Sequence, residues 1–336
     1  MKLSIVLIRG LYVLVLVFCV LATAGISALL ESKKVAFNQI IEQKPITEVS
    51  TDPFPVSVDP LNQTITKEDL LNDQVAETLA ISDAKPDTLS EKIIAFFYRK
   101  AWYQNLASSV SRVIVIWPGE RREEIAKYTG EVLRWNEDQQ AEFTNLVSSH
   151  EPALSEGKFY PGQYVAHRGA TPTEVAALIN EKFEADVLSR YTPEVAAKVP
   201  FEDALIIASL LEREASDFEN MREISGVIWN RLFIDMPLQL DATLQYAKAN
   251  TARERSWWPT PKPADKYLKS PYNTYANPGL PPGPIANPSA AAVLAALNPR
   301  STDCLFYFHD RDEIYHCSTT YQEHVRKLKL HYGRGR

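Results

Sequence analysis

The chain has 336 residues, 45% of them apolar and 23% charged. That apolar content can fill a substantial core, which excludes a disordered chain and favours two folded units. The formal charge of -6, with no extended Lys/Arg cluster, excludes nucleic acid as a partner, because phosphate binding needs concentrated positive charge.

Behind a short N-terminus (1–9), residues 10–30 form an uncharged, mostly apolar run. It is long enough to cross a bilayer as a helix. Ala22-Thr23-Ala24 offers a small-residue cleavage site, but the apolar stretch continues through Ile26, Leu29 and Leu30, which favours a retained transmembrane anchor over a signal peptide. Residues 31–105 are polar and carry Pro45, Pro53, Pro55, Pro60 and Pro86, the composition of a tether.

Residues 106–186 read as a small α+β unit. Val113-Ile-Val-Ile-Trp117 is a β-branched strand closed by Pro118-Gly119, and Ile125, Ala126, Tyr128 and Val132 follow at helical spacing. A polar insertion runs from Arg134 to Glu156. A second strand ends near Val165, and Thr171 or Thr173 caps a helix reaching about Phe183.

Residues 187–336 form the second unit. Phe201 to Ala215 has helical periodicity, with Ile206, Ile207, Leu210 and Leu211 on one face. Glu214 projects through the middle of that face, and Glu212 points the other way. A carboxyl on an apolar face is desolvated, which raises its pKa, and a carboxyl kept protonated near neutral pH can serve as a general acid. Ser216-Asp-Phe-Glu219 reads as a capping box for the next helix. A loop through Trp257 and Trp258 follows, then a Pro/Gly-rich loop over 277–287. Ser289 caps an Ala-rich helix, Leu305 to His309 and Ile314 to Cys317 make a hairpin, and Thr320 to Tyr332 is a final helix.

Around Glu214 in sequence lie Asn230, Gln239, Asp241, Thr243, Tyr272, Asn273, Thr274 and Tyr275. Hydroxyls and amides beside aromatic faces suit a carbohydrate, which offers hydrogen-bonding rims and apolar ring faces. These eight are the expected substrate-binding residues, and Glu214 is the expected catalytic acid. Cys304, His309, His316, Cys317 and His324 are close in sequence, but no paired spacing at either end follows a zinc pattern. No metal and no cofactor is expected. Whether Cys304 and Cys317 pair is open at this level.

The strand and helix pattern of 106–186 resembles the peptidoglycan-binding LysM module, from which the insertion before Glu156 departs. Six stretches together resemble the membrane-anchored endolytic murein transglycosylases of the MltG/YceG type. They are Glu156-Gly-Lys-Phe-Tyr-Pro161, Glu212-Arg-Glu214, Asn230-Arg-Leu232, Pro237-Leu-Gln-Leu-Asp-Ala-Thr243, Tyr272-Asn-Thr-Tyr275 and Gly279 to Pro288. The sequence departs at Ala242, where that family usually has Pro, at Gly162-Gln163, where it has Asp-Thr, and at Cys317, where an aromatic residue is common.

The resemblance implies an α+β protein with an N-terminal transmembrane helix, a LysM-like subdomain and a mixed helical and β-hairpin catalytic domain. It implies cleavage of the MurNAc-GlcNAc bond of nascent glycan strands to 1,6-anhydro ends, with Glu214 as acid, on the outer side of the cytoplasmic membrane. The implied partners are peptidoglycan strands, the membrane and peptidoglycan synthases. The alternative reading is a non-catalytic, membrane-tethered wall-binding scaffold, which would have no use for a carboxyl on an apolar helix face.

Overall fold

A computed structural model describes residues 52–67, 110–148, 156–251 and 256–333, together with positions 16, 17, 20 and 23. The expected anchor over 10–30 thus lies outside the described residues except at Leu16, Val17, Val20 and Thr23, which are helical and exposed. Among the described residues, no helix is long and apolar enough to cross a membrane.

The described part of the tether contains a small hairpin, β1 (Val58–Asp59) with β2 (Thr64–Ile65). This segment is not free along its length. Phe54 and Val58 are buried in the common core, Ser57 N–H donates to the Leu297 carbonyl, and the Arg190 guanidinium lies 4.1 Å over the Phe54 ring. The reason is legible afterwards: Phe54, Val56 and Val58 alternate, so one face of an extended segment is apolar.

The smaller unit pairs β3 (Ser111–Ile116) with β4 (Gly162–His167) in an antiparallel ladder, Ser111 opposite His167 and Ile116 opposite Gly162. Between them run α1 (Arg122–Leu133) and α2 (Glu137–Ser148), and α3 (Pro172–Asp186) follows β4. Helix α2 corrects the expectation of a plain polar insertion. Its composition is polar, but Phe143 and Val147 lie one turn apart and are fully buried, which suffices to dock it. Thr171 caps α3 through a complete capping box with Glu174.

In the larger unit, a 3-10 turn (Leu188–Arg190) and α4 (Pro193–Lys198) lead into α5 (Phe201–Glu214) and α6 (Phe218–Phe233). Asp217, rather than Ser216, is the N-cap of α6, accepting from Asn220 N–H. Helix α7 (Asp241–Ala249), a 3-10 turn (Pro263–Tyr267) and α8 (Ala290–Leu297) follow, α8 capped by Ser289. The hairpin of β5 (Phe306–His309) and β6 (Tyr315–Ser318) and helix α9 (Tyr321–Tyr332) close the fold. The architecture is α+β, with three separate two-stranded sheets among the described residues.

Helix α8 is Ala-rich because it is buried on every side. Small side chains let α5 and α6 pack closely against it, and such a helix derives its stability from burial rather than from an amphipathic face. Gly226 on α6 marks another close approach, since a Cβ there would meet the Arg300 carbonyl oxygen at 2.3 Å.

Candidate active site

Glu214 is the last residue of α5, and its half-buried carboxyl sits between α7 and the β5–β6 hairpin. Ala242 N–H donates to Oε1 at 3.3 Å, and the Tyr307 hydroxyl donates to Oε2 at 3.0 Å. Ala242 belongs to the first turn of α7, where backbone N–H groups have no partner within the helix and the dipole favours negative charge. Desolvation outweighs these contacts and pushes the Glu214 pKa up to about 7. The charge of Asp241 adds to the rise, while the two hydrogen bonds and Arg213 oppose it. The group can therefore give up a proton near neutral pH and then be held as a carboxylate by two donors already in place.

Glu212 lies on the other face of the helix, as its period implies, and that face is covered. It does not face water; it is 3% exposed, and its Oε2 accepts from both the N–H and the hydroxyl of Ser289 at 3.1 and 2.9 Å. Helix α5 is covered on both sides, so the face away from the apolar cluster is occupied by the start of α8. The two glutamates differ in partner, not in which one meets solvent.

The expected binding residues divide into two sets. Gln239 and Asp241 are exposed, and Tyr272 and Tyr275 are half-buried. The Tyr275 hydroxyl donates to Asp241 Oδ1 at 2.7 Å, and Tyr272 packs on Tyr246 with ring centroids 4.8 Å apart. Gln239 has a φ of 52°, an uncommon backbone state for a non-glycine residue; its N–H is held by the Thr274 carbonyl.

Thr243, Asn273 and Thr274, by contrast, are buried. The Asn273 amide gives both hydrogens to the Lys266 and Leu268 carbonyls. Thr243 and Thr274 bond to each other at 2.9 Å, and Thr274 Oγ1 also accepts Leu240 N–H. Asn230 donates to the carbonyls of Thr302 and Cys304, tying α6 to the segment ahead of β5. Polar groups placed out of water must be hydrogen-bonded; the three buried ones satisfy that demand within the protein, and half-buried Asn230 is likewise engaged by backbone.

Tyr307 was not foreseen from sequence. Its signal was the aromatic run Leu305-Phe-Tyr-Phe-His309, in which alternate residues share a face, but the period alone does not tell which face meets Glu214. Another unforeseen group is Glu156, fully buried, whose pKa burial and the charge of Glu123 raise to about 8 against the Arg122 N–H and two arginines. Its Oε1 accepts from Arg122 N–H and from Asn287 Nδ2. Cys304 and Cys317 form a disulfide that fastens β6 to the segment entering β5.

Residues 88–329 match the model of the YceG-like family. A Streptococcus pneumoniae protein named endolytic murein transglycosylase is 33% identical over 181 residues, 52% of this chain and 32% of that protein. A Bacillus subtilis protein of the same name is 37% identical over 153 residues, 45% of this chain and 41% of that protein. The matched region thus spans about a third to two-fifths of the length of these curated relatives. A solved structure of a yceG-like protein from Listeria monocytogenes superposes with a TM-score of 0.55 at 27% identity, covering 65% of this chain and 76% of that one.

Proposed function

This chain belongs to the YceG-like family, and from that premise we propose that it is an endolytic peptidoglycan lytic transglycosylase with Glu214 as its acid and base. The observation that carries the reading is the half-buried Glu214 carboxyl between α7 and the β5–β6 hairpin, its pKa raised to about 7 and met by two donors, Ala242 N–H and the Tyr307 hydroxyl. The name borne by its streptococcal and bacillar relatives supports the substrate class.

In this mechanism protonated Glu214 gives its proton to the glycosidic oxygen as the MurNAc C1–O bond breaks. The resulting carboxylate takes the proton of the same sugar's 6-hydroxyl, whose oxygen bonds to C1 and closes a 1,6-anhydro ring. No water is consumed, so a second catalytic carboxylate of the kind hydrolases use is not required. Asp241, held by Tyr275, orients substrate together with Gln239 and Tyr272. The helix dipole of α7 and the Tyr307 hydroxyl stabilise the carboxylate between the two proton transfers.

The apolar run 10–30 supports a single-pass anchor in the cytoplasmic membrane with the folded units outside, where nascent strands are. The smaller unit acts as the LysM-like part, holding the strand, and cleavage there terminates strand elongation alongside the synthases. Mass analysis of fragments released from purified peptidoglycan tests the chemistry. The expected products end in 1,6-anhydro-MurNAc; reducing MurNAc ends would make the protein a hydrolase and reject the proposal.

A further inference from the structure

The hairpin and the last helix bring together three side chains that the proposed reaction does not use. Asp310 lies in the turn between β5 and β6, His316 on β6, and His331 in the last turn of α9. Their donor atoms all lie within 4.8 Å of one another. Asp310 Oδ2 is 2.7 Å from His316 Nε2 and 3.3 Å from His331 Nδ1, and the two imidazole rings stand 4.2 Å apart.

From this convergence of a carboxylate and two imidazoles we propose a zinc-class divalent metal site that clips the hairpin turn to the end of α9. Ligand atoms about 2.0–2.2 Å from a tetrahedral ion stand roughly 3.3–3.6 Å apart. The Asp310–His331 separation of 3.3 Å already lies in that range, and the Asp310–His316 separation of 2.7 Å is somewhat shorter. The carboxylate is pre-oriented: its other oxygen, Oδ1, accepts the N–H groups of Asp312 and Ile314 at 3.0 and 3.1 Å, leaving Oδ2 to face both rings. Outer partners of that kind fix a ligand in place. The Phe308 ring stacks on His316 at 5.0 Å and meets His331 edge-on at 5.7 Å, limiting both imidazoles to a narrow range.

The neighbouring histidines do not join. His309 is bonded to Asn220 at 2.9 Å, and His324 packs among Phe306, Phe308 and Tyr321. Lys327 on α9 is engaged by Glu323 and by the Cys317 carbonyl. Two nitrogen donors disfavour Mg²⁺ and Ca²⁺, which take oxygen ligands, and favour zinc and its transition-metal neighbours. Sequence spacing concealed the set, because fourteen residues separate His316 from His331 and the third ligand is an aspartate.

The test is titration of the untagged, chelator-treated full chain with Zn²⁺, read by calorimetry, bound-metal analysis and thermal midpoint. One zinc per chain, a raised midpoint and no response to Mg²⁺ are expected. His316→Ala, His331→Ala and Asp310→Asn should each weaken binding at least about tenfold, the lower range for disturbed metal shells. His167→Ala, on an exposed strand position away from the cluster, should bind as the unaltered chain does. Imidazole nitrogen resonances of His316 and His331, and not of His309, should move on adding zinc, a readout that needs no variant to fold. No stoichiometric binding by the unaltered chain, or binding retained in the His316→Ala/His331→Ala double variant, would overturn the proposal.

Discussion

Glu212 accepts both the backbone N–H and the hydroxyl of Ser289, so one carboxylate joins the last turn of α5 to the first turn of α8. Two residues on, Glu214 meets a tyrosine hydroxyl and a helix N-terminus instead. The same side chain, twice on one helix, therefore has a structural task in one position and is available for chemistry in the other.

Substitution separates the two tasks. Glu214→Gln should keep the fold and lose about 10²- to 10⁴-fold in release of anhydro products, the usual contribution of general acid catalysis. Glu212→Gln should instead lower stability by about 1.5–3 kcal/mol, the scale of hydrogen bonds to a charged group, while the folded fraction still turns over. Denaturant unfolding and product assay on both variants check this. Equal loss of turnover with unchanged stability would contradict the division.

The acid must carry its proton at the start of each cycle. With Glu214 at about 7, kcat/KM should fall as pH rises above that value. The Tyr307 hydroxyl stabilises the ionised form, so Tyr307→Phe should move this alkaline limb to higher pH. A pH–rate profile of the variant distinguishes the two roles Tyr307 could have: a tyrosine that only packs would leave the limb where it is.

Glu156 links pH to stability. Its folded pKa of about 8 lies above the unfolded value of about 4.3, so between those values the folded state keeps a proton that the unfolded chain has released. Stability from this group is thus fully present below about pH 4.3 and is lost as pH rises towards 8. Glu156→Gln mimics the protonated form and should flatten the decline between pH 5 and 8. Unfolding free energies measured across that range provide the test, and an unchanged slope would show that Glu156 is ionised in the fold.

Reduction of the Cys304–Cys317 disulfide should destabilise the hairpin that carries Tyr307. Closing a loop of this size contributes about 3 kcal/mol through the unfolded state. A lower thermal midpoint in a thiol reductant, absent in a Cys304→Ser/Cys317→Ser variant, is the expected outcome.

Helices α5, α6, α8 and α9 of the larger unit were legible because their apolar periods are long or their caps, Ser289 and Thr320, stand at the right offsets; the short helices α4 and α7 were not read. Helix α2 was not, since two buried residues, Phe143 and Val147, dock it against an otherwise polar sequence. Segment 52–67 escaped for the same reason: proline content suggested a tether, while alternation at Phe54, Val56 and Val58 supplied the docking face. At the site, the position of Glu214 on its helix was readable from period alone. The burial of Glu212, Asn273 and Thr274 was not, because it depends on which segments return to cover them. Tyr307 required the hairpin register, and a two-residue period leaves that register undetermined.

Asn287 takes part in five hydrogen bonds with the smaller unit. Its carbonyl accepts Gly119 N–H, its N–H and Nδ2 both reach the Glu120 carbonyl, Nδ2 reaches Glu156, and Oδ1 accepts Phe159 N–H. Any swivel between the units at this residue would break these bonds together, so they move as the fixed jaws of a caliper. If the smaller unit grips the glycan, the cut falls at a constant number of sugars from the grip. Released fragments should then cluster around one length. A smooth spread of lengths would mean that the jaws do not measure.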